Sequence, residues 1–281
     1  MKLLLLQIWA ELRKMVARKR TFLGFGAFLV LEAVIYWVLH REGVENFFSR
    51  MIAKQGESFN HYYSALTLGF IVLIFTLLIG AVFMTLVAGD VVAKESEDGN
   101  LRLILVRPIS RVRLLSVKYL SCLIYSFILM QFLVWTVLLM GVILRGWGGG
   151  MFVPSPEEGT FVLFDAGEGL YRFTLASVAL SFSMLGASSL AFFLSCFRIK
   201  PAAATIASLA YVFMDSMLRE SRIMDNHKAW LVTHYMTTWR MFFMENIHWG
   251  FIFRQYSILA GVSLTLFVLG VLVFESRDIK S

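Results

Sequence analysis

Long apolar runs, separated by short clusters of charge, constrain this chain more than any other feature of its sequence. Hydrophobic residues make up 58% of its 281 residues and charged residues only 16%, whereas a soluble domain is about 45–50% apolar and about 25% charged. Because the hydrocarbon core of a bilayer is about 30 Å thick, a helix needs roughly 20 mainly apolar residues to cross it. Several runs reach that length, so the sequence predicts an all-α, polytopic integral membrane protein.

Six helices are predicted to cross the membrane within one transmembrane domain that covers residues 1–281. Helix breakers such as Gly148 and Pro154 mark the connecting loops. Pro201 suits the first turn of the fifth span, because its missing N–H needs no partner there. The predicted spans are residues 21–40, 63–88, 116–144, 171–197, 201–218 and 255–274.

Three segments outside the spans have patterns of their own. Residues 2–20 combine apolar side chains at helical spacing with a basic C-terminal end, which predicts an amphipathic helix along the membrane surface. Residues 41–62 are predicted to be a polar loop. Residues 219–254 mix aromatic and charged residues, which predicts outer interfacial or re-entrant helices whose aromatic side chains anchor the interface. The apolar stripe of the N-terminal helix is Leu5, Ile8, Trp9, Leu12, Met15 and Val16.

The distribution of basic residues predicts the orientation of the chain. Sixteen of the 26 Lys and Arg residues lie in residues 1–20, 89–118, 198–200 and 275–281. Cytoplasmic segments carry the excess of Lys and Arg, so both termini are predicted to be cytoplasmic. The net charge of +7 is then explained by anchoring to the bilayer, and no nucleic-acid partner is expected.

The predicted cytoplasmic loop of residues 89–115 is the most informative part of the sequence. An acidic helix end meets a glycine break at Gly99, and a short helix is predicted to follow until Pro108 ends it. Ser110 is expected to cap the third span. Basic side chains then lie at the level of the lipid headgroups. These basic residues are Arg111, Arg113 and Lys118, and the apolar stripe of the short helix is Leu101, Ile104 and Leu105.

A short cytoplasmic helix with an apolar stripe and flanking charges suits a groove on another protein. The alternative is a solvated loop that only links two spans. Three apolar residues in register between helix breakers favour the docking interpretation.

This loop resembles that of ABC-2-type transporter permeases, the membrane subunits of bacterial ABC transporters. The similar pattern is an Asp, acidic residues, Gly-x-Leu, a Leu-rich turn, Arg-Pro-Ile-Ser-Arg and a downstream Lys. The amphipathic N-terminal helix, the six spans and the terminal Phe-x-x-Arg-Asp-Ile are similar too, whereas Asn100 stands where the family commonly has Thr. The matching residues are Asp90, Glu95, Gly99, Leu101, Leu105, Pro108, Ser110, Arg111 and Lys118.

The resemblance implies that residues 89–115 contain a coupling helix, which docks into a cleft of a separate ATPase subunit. It implies a dimer of permeases, expected to be a homodimer, in the cell inner membrane with two ATPase subunits that bind ATP and Mg. It further implies an exporter whose substrate path at the dimer interface moves when the ATPase subunits close.

The motifs that are missing from the sequence agree with this division of roles. The sequence contains no G-x-x-x-x-G-K-[ST], H-E-x-x-H or G-x-S-x-G motif and no Cys/His metal spacing, so no catalytic residue, metal site or cofactor is expected in this chain. Three alternatives remain: an intramembrane enzyme, an ion-coupled secondary transporter, and the membrane component of a larger machine that is not an exporter.

Two acidic residues lie within predicted spans. A charge at the bilayer centre costs at least about 2.5–3.5 kcal/mol on insertion scales, so both should face protein or a water-filled cavity. For Glu32, near the middle of the first span, a role in the substrate path and a structural role are equally open. For Asp215, near the outer end of the fifth span, a structural carboxylate is favoured over a role in the path. The Met and His residues in and near residues 219–254 lack tight ligand spacing, so packing is expected.

Overall fold

The computed structural model describes residues 2–17, 19–53, 56, 58–99, 109–154 and 161–276. Within these residues, four helices are long and apolar enough to cross a membrane, and two bent helix pairs raise the number of spans to as many as six. The predicted fold class, an all-α polytopic membrane protein, is therefore confirmed.

α-Helices and two 3₁₀ helices make up most of the part of the chain that the structure describes. Two 3₁₀ helices, Arg222–Trp230 and Thr238–Phe243, flank a short α-helix, Val232–Met236. The α-helices are α1 Lys2–Val16, α2 Lys19–Leu39, α3 Glu42–Ala53, α4 Phe59–Tyr62, α5 Ala65–Glu97, α6 Arg111–Arg145, α7 Ala166–Ser195, α8 Pro201–Glu220, α9 Val232–Met236 and α10 Trp249–Glu275. The four unbroken candidate spans are α6, α7, α8 and α10.

Polar contacts define the two ends of the bundle. At one end, Arg111 at the start of α6 donates to the carbonyl of Glu275 at the end of α10, 3.0 Å away. At the other end, Arg145 at the close of α6 pairs with Glu45 of α3. We call these the terminal end and the distal end, since α1 and the C-terminus of α10 both lie at the terminal end.

The centre of the bundle is α7, which packs against α5, α6, α8 and α10. In the most apolar 18-residue stretch of α7, 67% is buried inside the protein, compared with 28% in the corresponding stretches of α8 and α10. Small polar residues allow this close packing. The hydroxyl of Ser188 lies 2.8 Å from that of Ser126, and the Ser189 hydroxyl lies 2.8 Å from that of Tyr119.

The prediction of a polar loop over residues 41–62 is wrong, since most of that segment is helical. Its helix α3 turns by 68° from the direction of α2. Glu42 and Glu45 occupy its first turn, where negative charge stabilises a helix. Ile52 on its inner face is completely buried. The apolar residues of α3 recur at helical spacing, although the charges between them suggested a loop.

The second span was predicted to end at residue 88, but α5 continues as a helix to Glu97. At Gly89 this helix approaches α8 closely. A Cβ atom there would lie 2.8 Å from the Thr205 hydroxyl and 3.3 Å from the Thr205 backbone nitrogen. Gly89 is therefore a packing residue inside the helix, although it resembles a helix breaker in the sequence.

A β-hairpin occupies part of the Gly/Pro-rich segment between α6 and α7. Strand β1, Met151–Pro154, pairs antiparallel with β2, Phe161–Phe164. The Phe152 N–H donates to the Thr67 hydroxyl of α5, 2.8 Å away. The sequence predicted only a loop here, because two strands of four residues each carry little periodicity.

Between α8 and α10, residues 222–243 form short helical segments at the distal end, whereas residues 249–254 begin α10. The aromatic residues of this region divide into two groups. The Trp239 side chain is fully buried and Tyr235 is 8% exposed. Trp239 packs near Phe70 of α5, with ring centroids 6.0 Å apart. The prediction that these aromatics anchor the interface is therefore wrong for Trp239 and Tyr235, whereas Trp230 is 82% exposed.

We predict that Gly89→Val destabilises the protein by about 1–3 kcal/mol, because the added methyl groups overpack the contact with α8. Gly261→Val is the matched control, since a Cβ on that residue of α10 meets nothing within 4 Å. Thermal unfolding of the purified chain in detergent measures both. Equal unfolding temperatures for the two variants would contradict the close approach of α5 and α8.

Candidate functional site

Four charged side chains from three helices meet at the terminal end. The Lys118 ammonium lies 2.6 Å from Glu95 Oε2 and 2.7 Å from Glu11 Oε1. The Lys14 ammonium donates to Glu95 Oε1. We call Glu11, Lys14, Glu95 and Lys118 the charge cluster. It contains two positive and two negative charges, so it is neutral as a whole.

The centre of the charge cluster is buried. The side chains of Lys118 and Glu95 are 1% and 2% exposed, whereas that of Lys14 is 44% exposed. A buried ion pair requires compensation on both charges. Lys118 meets two carboxylates, and Glu95 meets two ammonium groups. The cluster therefore holds α1, α5 and α6 together at one point.

The helix α1 supplies two members of the charge cluster, and it lies along α6. Ile8 and Met15 are buried against the protein, whereas Leu5 and Trp9 are 62% and 65% exposed. The predicted apolar stripe is thus divided between a protein-facing side and an outward-facing side. A second contact joins the helices, since Arg113 of α6 donates to the Gln7 side chain at 3.1 Å.

Lys118 was predicted to lie at the headgroup level, and the structure shows that its side chain is buried in protein and does not face lipid. Its ammonium lies between Glu11 of α1 and Glu95 of α5, and it also lies 3.5 Å from the Val91 carbonyl. Sequence reasoning missed Glu11 and Lys14 as its neighbours. Two signals pointed to such a cluster: charges within the apolar pattern of α1, and a lysine two turns inside an apolar helix.

The flanks of the predicted coupling helix are described, and they have definite ends. On the first flank, Asp90 is buried in α5, and the chain leaves the helix at Gly99, whose φ is +73°. On the second flank, the Ser110 hydroxyl accepts from the Arg113 N–H at 3.3 Å and caps α6. The predicted docking residues Leu101, Ile104, Leu105 and Pro108 lie outside the described residues.

Glu32 lies in α2 and is completely buried. Its Oε1 atom accepts a hydrogen bond from the Thr136 hydroxyl of α6 at 3.1 Å. Its Oε2 atom is buried without a hydrogen-bond partner among the described residues. Because an unsatisfied charge is costly inside a membrane protein, a proton or a cation at Oε2 would stabilise this carboxyl group.

Asp215 of α8 has a different environment. Its Oδ2 atom accepts from the backbone N–H of Thr233 at 2.7 Å, and Asp215 is 4% exposed. Thr233 lies in the first turn of α9, where backbone N–H groups lack partners within the helix. This contact supports the structural interpretation of Asp215.

A large apolar cavity lies between α6, α7 and α10. Its volume is about 680 Å³, which is within the usual range for ligand pockets. Neither Glu32 nor Asp215 lines it. Its walls include the aromatic residues Tyr119, Phe182, Phe242, Trp249, Phe253 and Tyr256 and the hydroxyl-bearing Ser257 and Ser263.

We predict that Lys118→Met lowers the free energy of unfolding by about 3–5 kcal/mol, because it leaves buried carboxylates without their cation. Adding Glu95→Gln to this variant should restore part of the loss. The control is Lys228→Met, which breaks an exposed pair with Asp225 and should cost at most about 1 kcal/mol. Thermal unfolding in detergent gives all three values. A loss at Lys118 no larger than that at Lys228 would contradict a buried ion pair.

Comparison with known proteins assigns the chain to a family. A family model described as "ABC-2 family transporter protein" matches residues 7–215, which include the whole charge cluster and residues 89–115. The uncharacterized protein YhcI of Bacillus subtilis (strain 168) is 36% identical over 75 residues. That similarity covers 27% of this chain and 24% of the relative, so the matched region is about a quarter of the relative's length. Since the family match covers well over half of the sequence, this multi-pass membrane protein belongs to the ABC-2 family of transporter proteins.

Proposed function

We propose that this chain is the permease subunit of an ATP-driven exporter, and that it docks a separate ATPase subunit through residues 89–115. Membership of the ABC-2 family implies an ABC ATPase as partner. The observation that carries the docking proposal is the charge cluster, whose buried ion pair joins Glu95 before the loop to Lys118 after it, 2.6 Å apart.

The charge cluster explains how a force on the loop would reach the membrane helices. A flexible loop would absorb the motion of a docked ATPase. Here α5 ends two residues after Glu95, and Lys118 lies two turns inside α6. The ion pair holds these two residues together. Glu11 and Lys14 add α1 to the same unit. Closure of the ATPase would therefore move α1, α5 and α6 as one body.

In the proposed orientation, the terminal end faces the cytoplasm and both termini are cytoplasmic, with the protein in the cell inner membrane. Basic residues are enriched in the segments that meet at this end, as expected for cytoplasmic segments. Leu5 and Trp9 of α1 are exposed, which suits insertion into the adjoining lipid headgroup region.

A second copy of the chain and two ATPase subunits complete the proposed transporter. ATP and Mg would bind to the ATPase subunits, and this chain would supply the substrate path. Glu32 is the candidate polar group for that path, since its Oε2 atom has no partner among the described residues. An ion-coupled secondary transporter would also need a buried carboxyl group of this kind. Substitution of Glu32 can therefore distinguish an ATP-driven exporter from an ion-coupled transporter.

We predict that Leu101→Asp combined with Leu105→Asp abolishes co-purification of a co-expressed ABC ATPase. Charges in the apolar stripe would prevent its burial in the groove of the partner. Leu103→Asp is the matched control, because at about 100° per residue it lies on the opposite face of the predicted helix. It should leave the complex intact. If the double variant still co-purifies with the ATPase and remains coupled, residues 101–105 are not the docking helix.

We predict that Glu32→Gln changes the ATPase rate of the reconstituted complex, while the free energy of unfolding stays within about 1 kcal/mol of wild type. Gln keeps the shape and the acceptor for Thr136 but removes the charge. Thr136→Val serves as control, because it removes only the hydrogen bond. An unchanged ATPase rate would assign Glu32 a structural role. Transport by the wild type that is driven by a proton gradient without ATP, and that Glu32→Gln abolishes, would favour the ion-coupled alternative.

A further inference from the structure

Basic residues are unexpectedly frequent at the distal end. Residues 219–254 contain five of the 26 Lys and Arg residues of the chain, although this segment lies at the opposite end from the basic terminal clusters. Positive charge on the outer side opposes the usual distribution in membrane proteins. A local function for these charges would explain why they are present.

Three of these basic side chains converge on one pocket. The pocket has a volume of about 290 Å³ and lies between the end of α8, the short helical segments and the start of α10. Arg219, Lys228 and Arg240 line it together with His234 and Gln255. Glu220 is the single acidic residue of the lining, so the lining carries a surplus of positive charge.

The cations of the pocket are only partly neutralised. Arg219 Nη2 pairs with Glu220 at 2.5 Å, and Lys228 pairs with Asp225 at 2.8 Å. The two carboxylates are 74% and 56% exposed, so water competes for both pairs and they are weak. A stronger ligand could therefore replace these partners.

Arg240 lacks even such a partner. Its guanidinium contacts no carboxylate of the described residues, and its Nε atom is buried without a hydrogen-bond partner among them. A buried N–H donor that is left unsatisfied is costly, and a guanidinium matches the geometry of phosphate and carboxylate groups. Arg240 therefore supplies the lining of the pocket with a guanidinium that could pair with an anion.

Gln255 of α10 also lines the pocket and supports the same conclusion. It is 8% exposed, and its Oε1 atom has no hydrogen-bond partner among the described residues. The side-chain amide also carries two N–H donors, and a half-turn about its last bond exchanges them with the oxygen. A bound anion would thus gain neutral donors in addition to the cations.

The electrostatic environment shows the crowding of positive charge. Burial and the nearby Arg219 lower the pKa of the Arg240 guanidinium, although Glu220 opposes this. Burial, Arg219 and Lys228 lower the pKa of His234. Burial is the larger cause of both shifts, and the neighbouring cations add a positive field that an anion would relieve.

We propose that this pocket binds the phosphate group of an anionic phospholipid in the leaflet at the distal end. Gln255 lies six residues after Trp249, about 9 Å along α10, so the pocket lies at the distal end of a candidate membrane span. Phe251 lines the pocket and is 44% exposed, as expected beside an acyl chain. A soluble phosphate compound would not need this apolar rim.

The test is a binding titration of the full chain, purified in detergent, with phosphatidylglycerol, followed by native mass spectrometry. Arg240→Gln should weaken binding roughly tenfold, as expected for the loss of one charged contact. Arg254→Gln is the matched control, since Arg254 is an exposed residue of α10 that does not line the pocket. It should change binding by at most about twofold.

Lys228→Gln provides a second variant with an exposed side chain, should Arg240→Gln fail to fold, and it too should weaken binding. Diacylglycerol lacks the phosphate group, so it should bind equally to the wild type and to Arg240→Gln. If Arg254→Gln weakens the binding of phosphatidylglycerol as much as Arg240→Gln does, the proposed site is wrong. The same comparison applies to Lys228→Gln where Arg240→Gln does not fold. Saturable binding of inorganic phosphate that depends on Arg240, with no Arg240-dependent binding of phosphatidylglycerol, would overturn the lipid as its source.

Discussion

The ion pair between Lys118 and Glu95 is the contact on which the terminal end depends. Two charges that are almost completely enclosed require each other, because either one alone would carry a large desolvation penalty. The pair can form only where α5 and α6 converge, and Glu11 of α1 completes the neutralisation of Lys118. One local electrostatic requirement thus determines the relative position of three helices and the separation of the two flanks of residues 100–108.

The two ends of the bundle use charge in different ways. At the terminal end, the charge cluster is internally balanced, so it can act as a rigid joint. At the distal end, Arg240 and Gln255 keep polar atoms without partners among the described residues, so the pocket is suited to an external ligand. Between them, α7 fills the centre with small residues, which let neighbouring helices approach closely. Balanced charge suits transmission of motion, whereas surplus charge suits binding.

The sequence predicts the long helices well because lipid requires every backbone group to be paired within its own segment. Local signals also suffice for Ser110 as the cap of α6 and for the turn at Gly99. The pairing of Lys118 with Glu11 joins residues 107 positions apart, so no local pattern reveals it. For the same reason α3 resembled a loop, since its buried face depends on contacts made only in the folded chain.

The distance between α1 and α6 during the ATP cycle tests the account most directly. Spin labels on exposed Ala10 of α1 and exposed Leu120 of α6, in the full complex with its ATPase partner, report this distance by pulsed electron spin resonance. A third label is placed on Leu264 of α10. The distances from Leu264 to Ala10 and to Leu120 should change on ATP binding, while the distance between Ala10 and Leu120 stays constant. A change in the Ala10–Leu120 distance on ATP binding would contradict the claim that the charge cluster makes these helices one moving unit.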